Sequence, residues 1–449
     1  MRKSTNFTEG PIFGPLMGFV IPILGAMFLQ ILYGAVDMII VGQFCAASEI
    51  AAVATGSAIM MMLTVLCLGL SLGTTVLLGQ KFGQGHLDEM GGIVGGSIVL
   101  FAGIGIALAV LMQPIAPIWI RVMRVPPESV SSAIAYVRIC CGGALCIVAY
   151  NVLGSVFRGL GDSRTPLLTV AIACVSNIFG DLLLVDGFGM GARGAAIATV
   201  SAQALSVLLS LAIIKHRGLP FKFSVKDISI FSPWISKVLR IGLPVAFQEM
   251  LVQISFLCIA AIVNSLGVIA AAGVGIAERV CGFVMLAPSA YGQAMATFSA
   301  QNFGAGKMAR AEKGLACAIA SALVAGVIMA WITFFHGDIV VSLFVSDQPD
   351  VAATAWDYLR AYSIDCLLTS FLFSLIGFFN GLGRTTFILC QGVAGAFLVR
   401  IPVSWYMSRL VPVSIFKIGL ATPLSSFVQI SLCVVMLLRL KRLYINKKN

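Results

Sequence analysis

Long apolar runs with few charges dominate the chain and constrain its fold more than any other feature. The runs reach the roughly 20 residues that a helix needs to cross a bilayer, and charged or Pro/Gly-rich breaks divide them into about twelve segments. We predict an all-α polytopic membrane protein with twelve transmembrane helices, because a membrane β-barrel would instead alternate polar and apolar residues in segments of about 10. The approximate limits are 16–42, 53–79, 93–113, 131–157, 166–186, 193–214, 242–266, 269–297, 314–336, 356–380, 386–408 and 416–438.

Composition supports this prediction. Only 10% of the 449 residues are charged, whereas an average soluble domain has roughly 25% charged residues. With the N-terminus inside and the helices alternating, most of the 29 Lys and Arg residues fall on the inner side, including Arg2, Lys3, Lys447 and Lys448. Cytoplasmic loops accumulate such residues. This asymmetry predicts a cell (inner) membrane protein with both termini cytoplasmic, and it explains the net charge of +11 without a nucleic-acid partner.

A basic stretch with two prolines divides the chain. Residues 215–240 contain six Lys or Arg residues, together with Pro220, Pro233 and Trp234. This composition predicts an interfacial cytoplasmic linker. It separates an N-terminal lobe, residues 1–214 with helices 1–6, from a C-terminal lobe, residues 241–449 with helices 7–12 and a basic tail.

The two halves repeat each other at a nearly constant spacing. The segment GQKFGQG at 79–85 recurs as AQNFGAG at 300–306. Since each half has an even number of helices, both halves enter the membrane in the same orientation. A pseudo-two-fold axis along the membrane normal then relates them, as in transporters that work by alternating access. Further pairs at a spacing of 222 residues are Pro22 and Pro244, Tyr136 and Tyr358, Arg138 and Arg360, and Gly159 and Gly381.

These features resemble those of the multidrug and toxic compound extrusion (MATE) family. The shared features are a first helix with Pro22 and Asp37 followed by Val41-Gly42, the paired GQKFGQG and AQNFGAG loops, and GLGD after helix 4. The resemblance covers residues 12–438 and is closest to the branch resembling DNA-damage-inducible protein F. It implies a MATE fold and the export of organic cations in exchange for protons or sodium ions.

Ionisable residues within membrane helices are rare and costly, so each one marks a candidate site. Asp37 lies about 30 Å along helix 1, and Asp181 lies about 22 Å along helix 5. Asn177 precedes Asp181 by four residues and shares its face. Thr199 lies about 9 Å into helix 6, which enters from the outside. Four oxygen-bearing side chains therefore share one depth in the outer half of the N-terminal lobe.

The resemblance assigns roles to these residues. The related branch has the same spacings: 15 residues from proline to aspartate, Asn-x3-Asp, and 18 residues from that aspartate to a threonine. This implies that Asp37, Asn177, Asp181 and Thr199 bind the coupling cation or the substrate, and that Pro22 is a hinge. The alternatives are carboxylates that reach water at helix ends and a static kink at Pro22.

Three acidic residues within spans of the C-terminal lobe form a second-choice site. They are Glu249 in helix 7, Glu278 in helix 8 and Asp365 in helix 10. Another branch of the family binds its coupling cation at acidic residues on helices 7 and 10, although Glu249 does not fall at the position that this branch predicts relative to the Gly-Leu-Pro at the start of the helix. The alternative is an internal carboxylate–arginine pair that involves Arg279 or Arg400.

Together these observations predict a multidrug efflux antiporter that exports amphipathic organic cations in exchange for H⁺ or Na⁺ by alternating access. The oxygens of Asp37, Asn177, Asp181 and Thr199 suit either ion, and protons are favoured because the resemblance to the family branch is tightest in the N-terminal lobe. Protonation of the N-terminal carboxyl groups from outside is expected to release the substrate.

Two other classes of protein fit the sequence less well. A lipid-linked oligosaccharide flippase of the same superfamily is the alternative, although its cationic cavity is not matched by the two clearly intramembrane bases, Arg279 and Arg400. An enzyme is not predicted: Gly189–Gly194 matches GxGxxG, but no strand precedes it. We expect no catalytic residues, no cofactor and no metal site. The expected partners are small organic cations and the lipid bilayer, and the expected state is a monomer.

Overall fold

The computed structural model describes residues 6–345 and 348–446, with side chains described up to residue 442. Arg2, Lys3, Lys447 and Lys448, for which a cytoplasmic position is predicted, lie outside the described residues.

Within the described residues, every regular element is helical, as predicted. Eleven helices are long and apolar enough to cross a membrane, and a bent pair of shorter helices brings the number to twelve. The twelve are α1 (Phe13–Phe44), α2 (Ala47–Gln84), α3 (Met90–Val122), α4 (Pro127–Gly142 and Ala144–Gly159), α5 (Arg164–Gly187), α6 (Gly191–Arg217), α7 (Pro233–Asn264), α8 (Val268–Gly304), α9 (Met308–Phe335), α10 (Pro349–Gly381), α11 (Thr385–Ser408) and α12 (Ile415–Arg442).

Several helices extend beyond the apolar runs that predicted them. Helix α2 covers Ala47–Gln84 where the apolar run covers 53–79, and α7 begins at Pro233 rather than near 242. A helix of 38 residues is about 57 Å long, well beyond the roughly 30 Å of a hydrocarbon core. Hydropathy therefore locates the membrane-embedded part of a helix and not its ends.

Helix α4 is bent by 51° at Gly143, where the sequence predicted one uninterrupted span. Gly142 and Gly143 lack the side chains that favour a helical backbone, so the helix breaks there at low cost. A Cβ atom at Gly143 would also collide with Val200 on α6. The bend and the missing side chain together let α6 pack closely against α4.

The chain divides into two compact units. Unit 1 is mainly Met17–Ala246, and unit 2 is mainly Phe247–Phe303 and the residues from Lys307 onwards. The division falls within α7. The predicted linker, 215–240, contains the end of α6, a short 3₁₀ helix at Val225–Asp227 and the start of α7.

Small residues let two helices of unit 1 cross at close range. Gly69 and Gly73 lie four residues apart on one face of α2 and meet the first part of α7. A Cβ atom at Gly69 would lie 2.6 Å from the Cα atom of Ala246, and one at Gly73 would collide with the carbonyl oxygen of Val238. This is the small-xxx-small pattern that membrane helices use to bring backbones together.

The glycine-rich turn that matches GxGxxG has a structural role in unit 1. It joins α5 to α6, and Gly191 adopts a φ of +54°, which favours glycine. The Glu49 carboxylate on α2 accepts a hydrogen bond from the Ala192 N–H at 2.7 Å and another from the Ser132 hydroxyl on α4. Through Glu49, the start of α6 is therefore hydrogen-bonded to α2.

Helix α10 is the central helix of unit 2. In the most apolar 18-residue stretch of this helix, 67% of the residues are buried inside the protein. The same share is 22–39% in the other ten long apolar helices. It packs against α8, α9 and α12. This position places any polar side chain of α10, including Asp365, in the interior of the unit.

Candidate functional site

Three of the four predicted N-terminal site residues are buried in unit 1. Asp37 on α1 is 5% exposed, and Asn177 and Asp181 on α5 are 1% and 0% exposed. Thr199 on α6 is half-buried. Apolar side chains and Tyr136 surround this region in a core built from α1–α6. The carboxyl groups therefore do not reach water at the surface of the protein, contrary to the alternative of helix-end carboxylates.

The two carboxyl groups interact with each other. Asp37 and Asp181 are electrostatically linked. Asp37 Oδ1 and both carboxyl oxygens of Asp181 are buried, and no group outside the pair hydrogen-bonds them among the described residues. Two carboxyl groups that share an apolar site cannot both be ionised unless a cation accompanies them. The pair can therefore hold a proton or bind a cation.

Asn177 and Thr199 complete the predicted set. Asn177 Nδ2 lies 3.5 Å from Thr199 Oγ1, a weak hydrogen bond that joins α5 to α6. The Asn177 Oδ1 atom is buried without a partner among the described residues. The amide oxygen and the carboxyl oxygens on the same face of α5 are thus available to a ligand.

The structure adds aromatic and amide residues that the sequence reasoning missed. Tyr33 interacts with Asp37 and lies beside Gln203 on α6, and Tyr136 on α4 also interacts with Asp37. Tyr33 stands four residues before Asp37 on the same face of α1. Gln203 has the same spacing from Thr199 on α6, so helical spacing was the signal that could have found both residues.

A second polar contact continues from this face of α1. Gln30, three residues before Tyr33, donates a hydrogen bond from Nε2 to the Tyr150 hydroxyl on α4 at 2.8 Å. Gln30, Tyr33 and Asp37 thus form a polar stripe on an otherwise apolar helix. The stripe connects α1 to both α4 and α6.

The helix backbone changes directly after Asp181. Residues Leu182–Gly187 form a π-helical segment at the end of α5. The Phe188 N–H bonds the Leu183 carbonyl at 3.0 Å, five residues earlier, instead of four. Segments of this kind are frequent at functional sites because they reorient neighbouring side chains.

Pro22, the predicted hinge, lies inside α1 and is buried. The helix continues through it from Phe13 to Phe44. Proline cannot donate the hydrogen bond that a helix requires at this point, so the backbone is weakened there. Asp37 lies 15 residues further along the same helix, about 22 Å away.

The second-choice residues lie in unit 2 in a different arrangement. Asp365 on α10 is 2% exposed and interacts electrostatically with Arg400 on α11. Glu278 on α8 is half-buried and interacts with Tyr358. Both Glu278 and Asp365 interact with Cys281, whereas Glu249 on α7 is exposed. The second-choice site stays a prediction.

The sequence itself had suggested a carboxylate–arginine pair in this lobe. Arg279, the neighbour of Glu278 in the sequence, is exposed, whereas Arg400 is buried. Successive residues on a helix point about 100° apart, so Glu278 and Arg279 do not share a face. The buried arginine is Arg400, which donates a hydrogen bond to Ser255 and makes no ion pair among the described residues.

Twelve membrane-spanning helices, an internal repeat and buried polar side chains are the architecture of a membrane transporter. The MatE family model matches the chain twice, over residues 22–183 and 244–406. The two matches begin 222 residues apart, which is the spacing of the repeat in the sequence. The chain belongs to the MatE family, whose members are transporters and not enzymes, as the sequence predicted.

Curated relatives and a solved structure agree with this assignment. The probable multidrug resistance protein YpnP of Bacillus subtilis (strain 168) is 28% identical over 403 residues, 89% of each chain. The multidrug export protein MepA of Staphylococcus aureus (strain MSSA476) is 23% identical over 420 residues, 90% of this chain and 89% of MepA. A structure described as MATE in the bent conformation has a TM-score of 0.93 at 20% identity, covering 100% of both chains. The predicted fold is confirmed, and the closest branch within the family stays a prediction.

Proposed function

We propose that this transporter is a multidrug efflux antiporter, which exports amphipathic organic cations in exchange for protons. Relatives described as multidrug resistance and multidrug export proteins support the substrate class. The observation that carries the coupling mechanism is the interaction of Asp37 with Asp181 in an apolar interior, where three of their oxygens have no hydrogen-bond partner outside the pair among the described residues.

The carboxyl pair can exchange one cation for another. When a proton occupies the pair, one carboxyl group is neutral and the repulsion between the two is removed. When the proton leaves, the negative charge of the pair is no longer neutralised and attracts an organic cation. Binding of proton and of substrate would then exclude each other, which is the thermodynamic coupling that antiport requires.

The same groups also suit sodium, because carboxyl, amide and hydroxyl oxygens are the ligands that hard cations prefer. Asp37 and Asp181 supply charge, and Asn177 and Thr199 supply neutral oxygens. We favour protons because the two carboxyl groups interact with each other in a low-dielectric interior, where a shared proton is the simplest way to neutralise one of them.

We propose that the transporter lies in the cell (inner) membrane with both termini in the cytoplasm. We propose further that it works as a monomer by alternating access and needs no cofactor beyond the coupling ion. The excess of basic residues in the loops assigned to the cytoplasm supports the orientation.

The proposal is tested with purified protein in liposomes that contain a fluorescent organic cation such as ethidium. An imposed pH gradient, with sodium absent from both sides, is expected to drive ethidium transport. Asp186→Asn, which removes an exposed carboxylate from the same helix as Asp181, serves as the matched control and is expected to transport normally. Failure of the pH gradient to drive ethidium would contradict proton coupling. Movement of a lipid-linked oligosaccharide instead of ethidium would favour the flippase.

A further inference from the structure

The linker between α6 and α7 packs against the rest of unit 1 along one side. Phe221 is buried in a core that includes residues of α3. A Cβ atom at Gly95 of α3 would collide with the Asp227 carbonyl oxygen, and one at Gly92 would lie 2.8 Å from Trp234 Nε1. Because these glycines have no side chain, the linker can lie directly on α3. This side of the linker therefore has a defined position.

A capped 3₁₀ turn fixes the middle of the linker. The Ser224 N–H donates a hydrogen bond to the Asp227 carboxylate at 2.7 Å, and the Ser224 hydroxyl accepts one from the Lys226 N–H at 3.4 Å. This reciprocal arrangement is a capping box. Asp227 is the one acidic residue in the sequence of segment 215–240. Its carboxylate thus serves the backbone of the turn.

The linker also exposes large apolar side chains. Phe231 is 95% exposed, Val225 81% and Ile230 77%, and Phe223 and Ile228 are exposed as well. Five such side chains within nine residues differ from the single apolar residues that are scattered over most protein surfaces. The linker joins two membrane-spanning helices, and Phe231 stands two residues before α7 begins. The exposed apolar side chains are therefore close to the bilayer.

Exposed basic side chains accompany the apolar ones. Lys222 and Lys226 are exposed and lie among the apolar residues in the sequence. Lys237, also exposed, places its Nζ atom 3.9 Å from the centroid of the Trp234 ring at the start of α7. None of the lysines and arginines of segment 215–240 forms an ion pair within the part of the chain that the structure describes. Their positive charges are therefore available to an anionic partner.

The surface of a bilayer with acidic lipids complements both kinds of side chain. Apolar side chains can enter the boundary between headgroups and acyl chains. Lysine side chains lie along such an apolar surface with their methylene groups and place the ammonium group at the lipid phosphates. Acidic headgroups attract basic segments next to membrane helices more strongly than headgroups without net charge do.

We propose that the linker binds acidic phospholipids through a surface that combines its exposed apolar and basic side chains. The main residues of this linker surface are Lys222, Val225, Lys226, Ile230, Phe231 and Lys237. Binding holds the start of α7 at the headgroup region, and in the proposed orientation the lipids belong to the inner leaflet. The inference does not depend on the transported substrate or on the coupling ion.

The experiment measures lipid binding by the full chain, purified in detergent micelles, without transport. The protein is titrated with pyrene-labelled phosphatidylglycerol, which is acidic, and in parallel with pyrene-labelled phosphatidylcholine, which has no net charge. Energy transfer from tryptophan to pyrene reports binding, and Trp234 is a donor beside the linker surface. We expect saturable binding of phosphatidylglycerol at concentrations where phosphatidylcholine binds weakly. High salt should weaken the binding of phosphatidylglycerol.

Removal of charge from the linker surface should weaken this binding. Lys222→Gln combined with Lys226→Gln should lower the affinity for phosphatidylglycerol about 20-fold, because each lysine near an acidic membrane surface contributes about fivefold. The matched control is Arg409→Gln combined with Lys417→Gln, which removes two exposed basic side chains near the connection of α11 and α12. This control should bind phosphatidylglycerol as the wild-type protein does.

Removal of apolar contact gives a different expectation. Ile230→Ser combined with Phe231→Ser should lower the affinity for both lipids, since the apolar side chains do not distinguish the headgroups. Trp234→Phe should reduce the part of the energy transfer that depends on the lysines. If that part persists undiminished, the lipid binds elsewhere and the proposal is wrong.

Other outcomes would also overturn the proposal. Equal binding of the two lipids by the wild-type protein would show that acidic headgroups are not recognised. Unchanged lipid binding after both pairs of substitutions in the linker would leave a soluble protein as the occupant of the surface. Because Lys222 and Lys226 are exposed, their replacement should not change the Tm in detergent. A fall in Tm or in folded yield would instead assign the two lysines a packing role and contradict the proposal.

Discussion

The carboxyl groups of Asp37 on α1 and Asp181 on α5 interact in the interior of unit 1, where both side chains are almost fully buried. The two helices are separated by three others in the sequence, so the pair exists only in the folded unit. Three of its four oxygens have no hydrogen-bond partner outside the pair among the described residues, so the two carboxyl groups depend on each other and on a shared proton or a bound cation.

Neutralisation of the first carboxyl group should stop coupling. In Asp37→Asn the amide cannot release or take up a proton, so we expect pH-driven ethidium transport in liposomes to fall to the level of liposomes without protein. The amide is nearly the same size as the carboxyl group, so expression and Tm should stay close to those of the wild-type protein. Transport at the wild-type rate would show that Asp37 does not belong to the coupling site.

The relative importance of the two lobes can be ranked with a pair of conservative changes. Asp181→Asn removes one partner of the buried pair, whereas Glu249→Gln changes an exposed carboxyl group of α7. We expect Asp181→Asn to reduce pH-driven transport much more than Glu249→Gln. The opposite ranking would place ion coupling in unit 2.

The hinge role of Pro22 makes a separate prediction. Alanine at this position donates the backbone hydrogen bond that proline lacks, so Pro22→Ala should stiffen and straighten α1. Because Asp37 lies about 22 Å further along the helix, a fixed bend angle should slow the movement of the carboxyl group. We expect slower transport with substrate binding retained, measured by ethidium fluorescence on the purified variant. A wild-type transport rate would leave Pro22 as a static kink.

The packing of Tyr136 against α2 depends on a glycine. A Cβ atom at Gly56 would collide with the Tyr136 ring, which is itself buried. Gly56→Ala should therefore displace the ring and destabilise the protein by about 1–3 kcal/mol, as overpacked cores usually do. Gly103→Ala on α3 is the control, because its added Cβ atom would meet open space. The Tm in detergent should fall for Gly56→Ala and not for Gly103→Ala; equal Tm values would show that the ring relocates freely.

The sequence predicted much of the site in unit 1. The rise per residue of a helix and the ends of the apolar runs placed Asp37, Asp181 and Thr199 at one depth in the membrane. Such a depth follows from counting residues alone. The faces that neighbouring helices present to each other do not follow from counting. The spacing of four residues places Tyr33 on the face of Asp37 and Gln203 on the face of Thr199, but whether these two faces meet depends on how α1 and α6 are rotated.

In unit 2, too, the sequence does not show which helix faces meet. The sequence offered Arg279 or Arg400 as the arginine of an internal pair, and in the structure Arg279 is exposed and Arg400 is buried. The π-helical segment that ends at Arg400 accepts a hydrogen bond from Ser425 on another helix. No local pattern in α11 could have predicted that contact. The sequence did not predict the bend at Gly143 either, because hydropathy locates a membrane span but does not give the direction of its helix axis.

The central claim is that the carboxyl pair of unit 1 exchanges a proton for the substrate. The most direct measurement is proton release on substrate binding, made by adding ethidium to purified protein in weakly buffered, sodium-free detergent solution with a pH indicator. The wild-type protein should release protons as ethidium binds, whereas Asp37→Asn combined with Asp181→Asn should release none. Undiminished proton release by the double variant would contradict the claim, because the exchanged proton would then reside elsewhere in the protein.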